Sequence, residues 1–215
     1  TLPQDRIVFE AFYGLETDRA TLEVDLTGKS KEHIKISIKR FYDPEKKRFY
    51  AGNTHIHIKG LTKEQANRYL RTVPKADGLD IVFPSYIQWI KEDLSYTTNE
   101  YSADDLTNLS REGILFANGE EHRHNLSGHE GYGHVMFLNI KKLIQPVSFG
   151  PAIMKEGSDG TPLQRGIIDA HQDGATVIWC HNNMGMESIP NWILGHLDAL
   201  NIFDGSYHGP YEDTY

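Results

Sequence analysis

His55 and His57 stand two residues apart in Gly52-Asn53-Thr54-His55-Ile56-His57. On an extended chain such a pair shares one face, so both imidazoles can turn to one ion; two ordinary strand histidines beside a Gly-Asn turn are the alternative. Gly119-Glu120-Glu121-His122-Arg123-His124-Asn125 is a denser polar run after an apolar segment, where α/β folds place ligand-binding groups. Extended, it turns Glu121 and Arg123 one way and His122 and His124 the other. A carboxylate here can bridge two ions, Arg123 can hold an anionic group, and a histidine such as His124 can act as acid or base. A solvated loop is the plain alternative. His134 opens the apolar run Val135-Met136-Phe137-Leu138, and His181 closes Val177-Ile178-Trp179-Cys180. Each is either a ligand or a core histidine satisfied by a backbone carbonyl. Convergence of His55, His57, His134 and His181 on one barrel mouth favours a shared metal, and such donors suit Zn, Mn or Fe more than Ca or Mg.

The remaining histidines carry less. His171 falls within a predicted helix, and His196 near a helix end, where a dipole interaction is role enough. His129 and Glu130 sit in a Gly-flanked stretch suited to a lid, and His208 and Glu212 near the C-terminus. No G-x-S-x-G elbow occurs and Cys180 lies in an apolar strand, so a nucleophile mechanism has little support. No Gly-rich phosphate loop is present.

The 215 residues are 39 % hydrophobic and 24 % charged, an ordinary globular mix. Eleven histidines stand against one cysteine, which excludes an intrachain disulfide and a Cys-rich zinc site. The net charge of −8 is concentrated after residue 50. That argues against nucleic acid as a partner and leaves a small-molecule or ester substrate. No apolar run reaches the roughly 20 residues of a membrane helix. The chain opens Thr1-Leu2-Pro3 without a leader pattern, which fits a soluble protein, including a secreted or periplasmic one with its leader removed.

These residues need elements to hold them. Thr21–Leu26 and His33–Lys39 alternate polar and apolar and predict an antiparallel β segment, closed by the polar break at Asp43–Lys47. From Gly52 strands alternate with helices. Thr54–Ile58, Leu79–Phe83, Ile114–Ala117, Val135–Ile140, Ala175–Cys180 and Ala199–Phe203 read as strands. Thr62–Gln65 has capping-box spacing and opens a helix to about Arg71, ended by Pro74 and Gly78. Ser102 caps a second helix, Leu163–Gln172 forms a third with Gly174 at its C-terminal end, and Pro190 begins a short fourth. The pattern predicts a mainly parallel sheet or barrel with its site at the C-terminal strand ends.

Taken together and in order, His55-Ile56-His57, Gly119–Glu121, Gly133-His134 and Trp179-Cys180-His181-Asn182 resemble the polymerase-and-histidinol-phosphatase (PHP) metallohydrolases, above all their CehA/McbA-like branch. The likeness spans roughly residues 50–205. It implies a distorted barrel of about seven strands around divalent metals. By position His55 and His57 would bind a first ion, Glu121 would bridge to a second, and His134 and His181 would complete the second. A metal-bound hydroxide would then attack a phosphorus or carbonyl centre. Two departures qualify the likeness. Ser85-Tyr86-Ile87 stands where the family has Thr-Asp-His, so a third ion is not expected. The family's last Asp motif does not follow before Tyr215.

The sequence therefore predicts an α/β chain with an antiparallel β segment over 1–48, the end of an accessory module. An incomplete, distorted (β/α)7-type barrel follows over 49–215. The expected function is a hydrolase with two divalent ions, cleaving a phosphoester or a carbamate, ester or amide bond. Glu121, Arg123 and His124 are its catalytic candidates. A non-catalytic metal- or ligand-binding module of the same fold is the alternative.

Overall fold

The computed structural model describes residues 2–88, 95–110, 113–126, 129–150, 161–180 and 185–201, with the backbone alone at 125, 126, 129 and 130. Its first ladder is built from alternation. β1 (Arg6–Ala11) and β2 (Ala20–Asp25) pair antiparallel from Arg6 opposite Asp25 to Ala11 opposite Ala20. Ile7, Phe9, Leu22 and Val24 are half-buried while Arg6, Glu10 and Glu23 are exposed. The strand predicted over 33–39 does not form. Ile34 and Ile38 are 38 % and 40 % exposed, and the nearest ladder contact is an isolated Thr17–Arg40 bridge. Alternation is a local signal and names no partner; β2 takes its ladder from β1.

The second sheet has eight strands in the order β10-β9-β7-β6-β4-β3, with β5 beside β4 and β8 beside β6. β3 (Gly52–Ile56), β4 (Ile81–Tyr86), β5 (Leu115–Phe116) and β6 (Gly119–Leu126) run parallel. β7 (His129–Leu138) then returns antiparallel to β6, and β9 (Thr176–Trp179) is antiparallel to β7. β8 (Ser148–Phe149) and β10 (Ala199–Leu200) are short parallel additions. The result is a mixed α/β architecture in which the sheet curls into a half-barrel. Two findings depart from the sequence reading. The sheet is mixed rather than mainly parallel, and the polar run 119–125 is a strand. Polarity concealed that strand, because β signals rest on apolar alternation and its side chains are buried on both faces.

Four α-helices occur among the described residues. α1 (Lys63–Ala76) starts on the predicted capping box: Thr62 Oγ1 accepts from the Gln65 amide, and Gln65 Oε1 from the Thr62 amide. It runs on through Pro74 to Ala76. Proline there removes one backbone donor within the last turns, while its ring is buried. α2 (Ala103–Leu109) has a Ser102/Asp105 box. α3 (Leu163–Asp173) ends on Gly174 at φ +88°, a left-handed cap that favours glycine. Its first amides, Leu163 and Gln164, donate to the Glu187 carboxylate at 3.1 and 3.0 Å. Glu187 directly precedes α4 (Ser188–Ile193).

Three apolar clusters follow from this wrapping. Ala66 and Leu70 of α1 and Leu106 and Leu109 of α2 pack on Ile58, Val82 and Phe116. Leu163, Ile167 and Ala170 of α3 pack on Val135, Phe137, Val177 and Trp179. Phe83, Met136, Leu138, Ile178 and Cys180 form the third. Met136 lies opposite Glu121 in the β6–β7 register, and opposite residues share a face. The third cluster is thus the dry floor beneath Glu121.

α3 approaches β6 closely because residue 166 has no side chain: a Cβ there would meet the His122 ring, whose carbons would lie 3.0 Å away. Gly166→Ala is expected to cost about 1–3 kcal/mol of unfolding free energy from overpacking, measured by urea denaturation. In a His122→Ala background the cost should shrink, since the clashing ring is gone. An equal cost in both backgrounds would refute this account of the approach.

Candidate metal centre

β3 and β6 bring the first donors together. The β3–β4 register shifts between Asn53 and Ile56, an irregularity of the kind that re-aims side chains. The Asn53 Oδ1 accepts from the His55 amide at 3.0 Å. His55 Nε2 then stands 3.0 Å from His57 Nε2 and 3.4 Å from Glu121 Oε2, and His57 Nε2 is 2.8 Å from that oxygen. Donor atoms about 2.0–2.2 Å from one ion lie roughly 2.8–3.6 Å from each other. The three atoms match that spacing.

Protonation makes the match more pointed. His57 Nδ1 is 2.9 Å from the Ser85 carbonyl. A carbonyl only accepts, so Nδ1 carries the proton and donates. A neutral ring would then turn a bare lone pair on Nε2 toward a carboxylate oxygen. Two acceptors at 2.8 Å need a cation between them, a proton or a metal ion. Fixing a ring through its far nitrogen is how ligand histidines are commonly oriented. Ser85-Tyr86-Ile87 supplies no side-chain ligand, yet its backbone sets His57. Sequence could not announce this, because every residue has a carbonyl. Tyr96, also unmarked by motif, stands edge-on to His57 with ring centroids 6.0 Å apart, and Lys59 Nζ lies 5.2 Å from the Tyr96 ring.

The other oxygen of Glu121 faces different company. Arg123 Nε is 3.4 Å and His134 Nδ1 3.7 Å from Oε1. Arg123 and His134 are opposite one another in the β6–β7 register. All three are buried, at 2 %, 6 % and 5 % exposure for Glu121, Arg123 and His134. Burial pulls the Arg123 pKa down from its ordinary value, and the Glu121 charge opposes this. The structure therefore brings together His55, His57, Glu121, Arg123 and His134. His181 lies outside the described residues.

His124 is placed on the far face of β6, with His122. Its Nδ1 donates to the Thr161 carbonyl at 2.6 Å, and its ring is 4.8 Å from that of His122. Burial pushes His124 down to about 4. On the same face His122 Nδ1 is 2.8 Å from Glu120 Oε1, and Glu120 Oε2 accepts from the Ile144 amide at 2.7 Å. Burial drives Glu120 up to about 8, opposed by the Ile144 amide. Burial drives His122 down to about 3, with Arg165 adding and Asp169 opposing. Both groups are neutral near pH 7, so the Glu120 hydroxyl donates to His122 Nδ1.

No protein-family model matches the chain, and no curated protein matches it. Among solved structures it is similar to a two-domain protein containing a predicted PHP-like metal-dependent phosphoesterase from Bacteroides vulgatus ATCC 8482. The identity is 15 % and the TM-score 0.41, over 70 % of this chain and 42 % of that one. The chain thus spans less than half the length of that protein. Among the described residues no helix is long and apolar enough to cross a membrane.

The far face of β6 sets a pH signature. Unfolded Glu120 ionises from its ordinary 4.5, while folded Glu120 keeps its proton to about 8, so its contribution falls as pH rises through that window. His122 and His124 act oppositely, since the unfolded rings bind protons up to 6.5 and the folded rings only to about 3 and 4. Stability should rise to about pH 6.5 and fall from there to about 8. Glu120→Gln keeps the hydrogen bonds without the titration and should flatten the fall. Urea unfolding across pH with a chelator present measures it; an unchanged slope would count against a neutral Glu120.

Proposed function

We propose that the chain is a divalent-metal-dependent hydrolase of the PHP type, related to the CehA/McbA-like branch. It would act on a phosphoester, or on a carbamate, ester or amide. The observation that carries this reading is the meeting of His57 Nε2, His55 Nε2 and Glu121 Oε2 at 2.8–3.4 Å, with the His57 proton committed to Ser85. In this reading residues 49–215 build a PHP-type barrel. Residues 1–48 are an appended β segment, seated where Tyr13 and Gly14 approach Gly78 at the end of α1.

His55, His57 and Glu121 would hold the ion; Zn, Mn or Fe suits two imidazoles and a carboxylate. When bound, a divalent cation polarises the scissile group and acidifies water. The chain supplies the rest. Ser85 keeps His57 in its ligating tautomer. The edge of Tyr96 walls the His57 side, and Lys59 stands on the Tyr96 ring. The apolar floor of Phe83, Met136 and Ile178 excludes water, which strengthens electrostatic contacts above it. Arg123 adds fixed positive charge beside Glu121, suited to an anionic substrate or a developing oxyanion. A second ion, as the family resemblance implies, would sit by Glu121 Oε1 with His134 and His181. His124, on the far face, takes no part in the chemistry proposed here.

The non-catalytic binding module stays as a second reading on one observation. The strand end Ser85–Ile87 gives the site a backbone carbonyl and no side-chain ligand.

Purified protein is expected to retain Zn, Mn or Fe through dialysis and to hydrolyse members of a panel of p-nitrophenyl phosphate, bis-p-nitrophenyl phosphate, p-nitrophenyl acetate and an aryl carbamate. His57→Ala should lower metal affinity and turnover by about 100-fold or more. Tight metal binding without turnover of any panel member selects the binding module; no metal binding at all refutes the hydrolase.

A further inference from the structure

The two oxygens of Glu121 point to two differently charged surroundings. Oε2 faces His55 and His57 at 3.4 and 2.8 Å. Oε1 faces the Arg123 guanidinium, with Nε at 3.4 Å. A carboxylate that bridges two ions through both its oxygens offers each to a different cation at about 2.0–2.2 Å. Here a side chain of fixed positive charge already stands on the second oxygen. It is held there by the strand itself. Residues 121 and 123 are i and i+2 on β6, so they share a face, and the Arg123 amide donates to the Val147 carbonyl at 3.0 Å. Arg123 is 6 % exposed, so its guanidinium is held inside the fold.

We infer that the guanidinium of Arg123 stands in for the second cation, so that the centre takes one divalent ion, at His55, His57 and Glu121. This rests on the reading of the cluster as a metal centre, and it narrows the two ions implied by resemblance to one. His134 then serves beside Arg123 at Glu121 Oε1 rather than as a ligand. His181 does not enter the argument.

Titration of the metal-free full chain with Mn2+ or Zn2+, read by calorimetry and by metal content after gel filtration, tests this. The expected result is one tight equivalent for the wild type and for Arg123→Lys. Arg123→Met, which removes the charge and keeps the bulk, should take up a second equivalent. Electron paramagnetic resonance of the Mn2+-loaded wild type gives a check independent of any variant, with an uncoupled six-line spectrum expected. Two equivalents in the wild type, or an exchange-coupled spectrum, would overturn the inference while leaving the metal-centre reading intact. One equivalent in both wild type and Arg123→Met would overturn the role of Arg123. No bound ion in the wild type would overturn the metal-centre reading and this inference with it.

Discussion

Burial of the Glu121 carboxylate is the constraint on which the rest of the site depends. An isolated ionised carboxylate in an apolar interior is prohibitively costly. Glu121 is 2 % exposed and lies above Phe83, Met136 and Ile178. Its charge is tolerable only because cationic or cation-binding groups surround it: His55 and His57 on one oxygen, Arg123 and His134 on the other. These partners come from β3, the segment just beyond it, β6 and β7. A site assembled this way is also a cross-brace, since losing any one partner leaves charge uncompensated among the others.

The antiparallel turn of the sheet at β6–β7 makes this arrangement available. A parallel neighbour of β6 would come from a distant crossover. Instead the chain doubles back, and the register sets His134 opposite Arg123 and Met136 opposite Glu121. One hairpin thereby supplies the Glu121 carboxylate, a fixed cation, a histidine and part of the apolar floor. The mixed sheet is therefore a feature of the site as much as of the fold.

The far face of β6 shows a second solution to the same problem. Glu120, His122 and His124 are as deeply buried as Glu121, but among the described residues no metal-type donor cluster forms around them. Burial there favours neutral forms, with a protonated carboxyl donating to one imidazole and a carbonyl accepting from another. Two consecutive glutamates thus meet different surroundings because alternation sends them to opposite sides of one strand. This division keeps Glu121 and Arg123 on one face and lets α3 close over the other, with Gly166 against the His122 ring.

Much of the site was legible in residue types. The i, i+2 spacing of His55 and His57 holds on an extended chain wherever it lies. The alternation that separates Glu121 and Arg123 from His122 and His124 holds for any strand. The capping box at Thr62 and the glycine at 174 are likewise local, and their effects need no distant partner. Partnership was not legible. The run over 33–39 alternates as well as β2 does, yet remains outside a ladder. The run 119–125 carries no apolar stripe, yet is a buried strand. Ser85 acts through a carbonyl that no side chain advertises. The sequence by itself determined which donors exist and which way they turn along their own strand, because chain geometry over two or three residues is set by covalent and steric rules. Only the tertiary structure decided which donors meet, which oxygen of Glu121 faces Arg123, and which carboxyl keeps its proton. Those outcomes depend on strand order, register and burial, which belong to the whole sheet.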